Sequence, residues 1–150
     1  MATYDLTLSN ESHPSFNGAL VEVREKVFDA TKRTLAQNDV VELIDIAAGE
    51  TVMKCDVNVL TADANAGTAE VGDGSDTNGF VEAFNDAATG VTLGKIVLTE
   101  AAPPTMNGYT NGGKYYSAAD TIDLKALGAS GITTGKILVR AYVVPKTRAA

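Results

Sequence analysis

Thr51-Val52-Met53-Lys54-Cys55-Asp56-Val57-Asn58-Val59-Leu60-Thr61 alternates apolar and polar side chains through most of its length. Met53, Cys55, Val57 and Val59 fall on one side of an extended chain, and Lys54, Asp56 and Asn58 on the other. Successive side chains of a β-strand point to opposite faces, so the stretch predicts a half-buried strand with one wet surface. Burying each large apolar side chain contributes roughly 1.5–3 kcal/mol. A slip of one residue would bury Lys54 and Asp56 instead, so the register is strongly specified.

Similar patterns recur on both sides. Val40-Val41-Glu42-Leu43-Ile44-Asp45-Ile46 predicts a strand, and Ala47-Ala48-Gly49-Glu50 is a short connection that would make it the antiparallel neighbour of Thr51–Thr61. Thr68–Val71 and Phe80-Val81 begin further strands, and Val91–Thr99 is another. Thr121–Leu127 alternates with Ile122, Leu124 and Ala126 inward. In Lys136–Val144 the inward set is Ile137, Val139, Ala141 and Val143, with a second face apolar enough to be covered too. Leu20–Ala36 fits either helical or extended spacing; its valines and its β surroundings favour an extended segment, with a helical turn at Thr31–Gln37. About eight strands separated by turn residues suggest an all-β antiparallel sandwich of jelly-roll type. Residues 1–18 read as an extended N-terminal arm and 19–150 as one sandwich domain.

Composition restricts the function. The chain has 150 residues, 45% of them hydrophobic, enough for one core. Its formal charge of −7 disfavours nucleic acid, which needs clustered cations. No apolar run approaches the roughly 18 residues needed to cross a membrane as a helix, and no secretory signal is visible. The one cysteine, Cys55, sits on the apolar side of a strand and reads as a small hydrophobe. The one histidine, His13, precedes Pro14 in the polar arm, where nothing positions it for proton transfer. No catalytic residue, cofactor site or metal site is predicted. The Asp73–Gly79 loop carries oxygen donors, but an EF-hand counted from Asp73 would place Asn78 at position six and Phe84 at position twelve, where glycine and glutamate are needed. An ordinary turn is the expectation there.

Three blocks carry a resemblance: Asp39–Glu50, Ala69–Phe80 and Gly113–Leu124, in that order. Together they resemble small virion structural proteins of tailed bacteriophages. What the resemblance implies is a capsid cement or decoration protein, carried on the outer surface of the virion. It would be a homotrimer bound to the major capsid protein at junctions between shell subunits, without cofactor, nucleic acid or membrane. A tail- or fibre-associated sandwich binding a host receptor or glycan is the alternative. Candidate interface residues are Tyr4, Leu6 and Leu8 of the arm, Tyr109, Tyr115 and Tyr116 of a turn-rich region, and Lys146 and Arg148 of the basic tail.

Overall fold

The computed structural model of the chain describes residues 21–93 and 113–146. The arm, Tyr109, Arg148 and positions 94–99 of the expected Val91–Thr99 strand lie outside the described residues. Nine strands and no helix are present among those described. They form two antiparallel sheets packed as a β-sandwich.

The first sheet is organised around β9 (Lys136–Val144). Ile137, Val139, Ala141 and Val143 are all fully buried on its inner face, as the alternation requires. One side of β9 pairs with β1 (Glu22–Asp29) and the other with β3 (Thr51–Thr61). Beyond β3 lies β6 (Gly90–Leu93), and the two-residue β7 (Lys114–Tyr115) pairs with the start of β3. The second sheet has the order β2 (Val40–Ile46), β8 (Asp120–Ala126), β4 (Thr68–Gly72), β5 (Val81–Asn85). Ile122, Leu124 and Ala126 of β8 point into the core as expected.

Setting β7 aside, β1 pairs with β9, β2 with β8, β3 with β6, and β4 with β5. That nesting, first with last and inward from there, is a long hairpin rolled over itself: the jelly roll.

Three expectations are corrected. β2 and β3 are not neighbours; they belong to different sheets. Gly49 takes a positive φ of 92°, and its N–H donates to the Tyr116 carbonyl at 2.7 Å, so the short connection changes layer and does not close a hairpin. Met53 is not part of the inner face. The register steps from Val52↔Val143 to Lys54↔Tyr142, leaving Met53 as the extra residue of a β-bulge. Val52 is therefore fully buried, and inward alternation resumes at Cys55, Val57 and Val59. Finally, Thr31–Gln37 forms a turn and a bridge, Leu35↔Ile132, with no helix.

Candidate interaction surface

Residues paired across strands share a face, so the register maps the outer surface of the first sheet. One row runs Val27, Leu138, Asn58, Val91; the next runs Glu25, Arg140, Asp56; the third runs Val23, Tyr142, Lys54. Further along, Val144, Thr51 and Tyr115 lie side by side, with Val21 just ahead of β1. Val23, Val27 and Val91 are 51%, 46% and 58% exposed, and Tyr115 is 64% exposed. Five of the seven large exposed hydrophobics among the described residues therefore lie on or beside this face, a concentration that scattered surface residues do not show.

The charges on the same face are paired. Lys54 Nζ lies 2.8 Å from Asp56 and 4.4 Å from the centre of the Tyr142 ring. Arg140 donates to Glu25, and Lys136 lies 3.3 Å from Asp29. These ties hold long side chains across the sheet, and Leu138 and Asp56 are both buried although they point outward.

The residues singled out from sequence separate here. Tyr115 is exposed on this face. Lys146 is exposed, with its aliphatic stem against Gly49, where a Cβ would lie 2.8 Å from Lys146 Cδ. Tyr116 is withdrawn into the interior at 3% exposure, and its hydroxyl donates to Asp73 Oδ2 at 2.6 Å. It is a core residue. Tyr4, Leu6, Leu8, Tyr109 and Arg148 fall outside the described residues. The Val21, Val23, Val27 stripe was missed as a surface; its signal was valine alternating with charge in the segment of ambiguous period.

Elsewhere the polar groups are engaged in structure. Asp73 Oδ1 accepts the N–H groups of Ser75 and Asp76 at 2.8 and 3.0 Å, and Oδ2 also accepts Lys114 at 2.6 Å. Gly72 is required in this turn, since a Cβ there would come within 1.9 Å of the Asp76 carbonyl. The loop is thus a braced turn, and no group of three or more metal-ligating side chains occurs among the described residues. Cys55 is fully buried, and burial pushes its thiol pKa up, so it offers no thiolate.

A cleft of about 590 Å³ is lined by Arg24, Asp45, Glu50, Asp120 and their neighbours. Arg24 already donates to Glu50 at 2.7 and 2.8 Å, to Glu22 and to the Asp45 carbonyl. The bond to Glu50 raises the Arg24 pKa and lowers that of Glu50. The cleft is a clamp between the start of β1 and the β2–β3 corner.

At the opposite end two aspartates sit on neighbouring loops and differ in environment. Asp63 accepts the backbone N–H groups of Thr133, Thr134, Gly135 and Asn65 at 2.6–2.9 Å. Burial alone would raise its pKa, but these donors outweigh it and hold the carboxyl at about 2. Asp86 is fully buried, and neither carboxylate oxygen has a hydrogen-bond partner. Burial, and then the Asp63 charge, push its pKa up. The Asp63 N–H donates to the Asp86 carbonyl at 2.9 Å, so the two loops are tied by backbone as well.

On the outer face of the first sheet the charges are paired and several valines are exposed. The chain aligns with one in the acidic stable capsid structure of Helicobacter pylori bacteriophage KHP30, with a TM-score of 0.53 and 15% identity over 84% of this chain and 89% of that one. The fold is shared with a chain of a phage capsid. A second match is a chain of the capsid of Ralstonia phage GP4, with a TM-score of 0.56 and 15% identity over 83% of both chains. No family model and no curated protein matches the chain.

Proposed function

We propose that the chain is a decoration protein of a tailed-bacteriophage head. In this reading it sits on the outside of the assembled shell at junctions between major capsid subunits, as a homotrimer, and stabilises the shell without catalysing a reaction. The observation that supports it most is the rolled sandwich, which covers 83–84% of the chain in the alignments with two phage capsid structures. The apolar, charge-paired sheet face adds support, because a protein that works by contact needs such a surface.

The mechanism is mass action. A protein that binds the assembled shell and not its separated subunits stabilises the shell by about 2.7 kcal/mol per site at a hundred times its Kd. A trimer that holds several subunits at once gains avidity without one large contact. Tyr115 and Lys146, exposed at the β7 and β9 ends, are the described candidates for capsid or inter-subunit contacts; Tyr4, Leu6, Leu8, Tyr109 and Arg148 complete the candidates.

The test is to mix purified protein with empty expanded heads that lack it, then sediment and heat them. Saturable co-sedimentation and a higher rupture temperature are expected. Heads that neither retain the protein nor rupture later would refute the reading.

A further inference from the structure

We infer that the outer face of the β1-β9-β3-β6 sheet is where one copy of this chain packs against a second copy. The inference supplies one side of the self-contact in the decoration reading, since a three-fold ring joins two different patches of each copy. It rests on that reading for its purpose, although its association test does not involve a shell.

Charge is the first argument. The molecule carries a formal −7, so two copies repel each other over most approaches. On this face the charged positions are Asp29, Glu25 and Asp56 against Lys136, Arg140 and Lys54, which cancel and are already joined as three pairs. An equally acidic copy can therefore dock here without accumulating charge. A cationic partner would find little net attraction, and a strongly anionic one no counterpart.

Surface chemistry is the second. Val23 and Val27 on β1 and Val91 on β6 are exposed at opposite margins of the face, with Tyr142 and the stem of Lys54 between them. Exposed apolar groups around a charge-paired centre suit a protein surface, and Tyr and Arg are side chains that protein contacts favour.

Size is the third. Four strands at about 4.8 Å and nine residues of β9 at about 3.3 Å each give a slab roughly 19 by 30 Å in projection. That projection falls below the roughly 800 Å² per partner of a standard interface and suits a contact at the small end of the range. The contact also lies along the sheet face, so it leaves the β1 edge free for a further neighbour.

Sedimentation of the full-length protein tests this directly. The wild type is expected to associate. Val23→Glu with Val27→Glu, both at outward positions of an edge strand, is expected to weaken self-association at least tenfold while leaving the circular dichroism spectrum unchanged. Val40→Glu, an equally exposed valine on the other sheet, is expected to leave it intact. Glu25→Arg or Arg140→Glu alone should weaken association at low salt, and the two together should restore it. A monomeric wild type, or association that survives Val23→Glu with Val27→Glu, would overturn the inference. So would residues 1–20 being protected on this face in a monomer. A monomer that still binds heads would refute this contact and leave the shell reading standing; an associating protein that ignores heads would do the reverse.

Discussion

At the residue scale, two buried aspartates at one end of the sandwich make opposite demands on pH. Asp63 moves from an ordinary value of 3.8 to about 2 because backbone donors favour its ionised form. A depressed carboxyl contributes stability above its unfolded pKa and loses it as pH falls through the folded one. About 2–3 kcal/mol should therefore disappear between roughly pH 4 and pH 2. Asp63→Ala leaves several loop N–H groups without an acceptor and should cost about 2–5 kcal/mol at pH 7 in urea denaturation. Asp86 has the reverse sign. Its pKa is raised in the folded chain, so its favourable contribution is complete below the unfolded pKa and is lost as pH rises through the folded value. Asp86→Asn should stabilise the protein by about 1–2 kcal/mol at pH 7, with the gain vanishing in acid. A lower urea midpoint for Asp86→Asn at pH 7 would contradict this account. Neither role is readable from sequence, since Asp63 and Asp86 look like ordinary loop aspartates until Thr133–Gly135 is folded over one and not the other.

At the element scale, β7 is short but fixes the loop between β4 and β5. Lys114 and Tyr116 flank Tyr115 and both reach Asp73, whose other oxygen holds the turn N–H groups of Ser75 and Asp76. Lys114→Ala leaves a buried carboxylate less compensated and should cost about 2–4 kcal/mol, and Tyr116→Phe about 1–2 kcal/mol. In both variants, hydrogen exchange should quicken at the Ser75 and Asp76 amides before it changes in β9. Uniform acceleration across the sandwich would show that the brace is not local. β8 and β9 were legible because strands lie on both sides of each and enforce strict alternation. β3 was legible only beyond Met53. Val52 and Met53 are both apolar, and the bulge that chooses between them arises from pairing with Tyr142 and Val143, some ninety residues later. The β2–β3 corner misled for a similar reason. Four residues with a glycine suit a hairpin, and only the bonds from Gly49 to Tyr116 and from Arg24 to Glu50 turn them to the other sheet. The β1 stripe was hidden because valine alternating with charge describes a core-facing edge as well as an exposed one.

At the scale of the whole molecule, the all-β class followed from local alternation, while the nesting of strands needed contacts that no local pattern carries. The rolled hairpin pairs Glu22–Asp29 with Lys136–Val144, the two ends of the described chain. It also places β9 between β1 and β3, which do not pair with each other. Long-range pairing delays the reward for closing the loop, so refolding should take on the order of milliseconds to seconds in stopped-flow experiments, as for other all-β chains. The same nesting makes the last strand indispensable. Without β9, β1 has no partner in its sheet, and Cys55, Val57 and Val59 of β3 lose the neighbours Ala141, Val139 and Ile137. Four fully buried side chains would be lost outright, each worth roughly 1–3 kcal/mol, against a total stability of about 5–15 kcal/mol for a whole domain. A chain ending at residue 135 is therefore expected to show no cooperative urea transition at 25 °C. Adding a peptide of residues 136–150 in trans should restore one only if β9 inserts between β1 and β3, and a stable, cooperatively unfolding 1–135 fragment would show that the roll closes without its last strand.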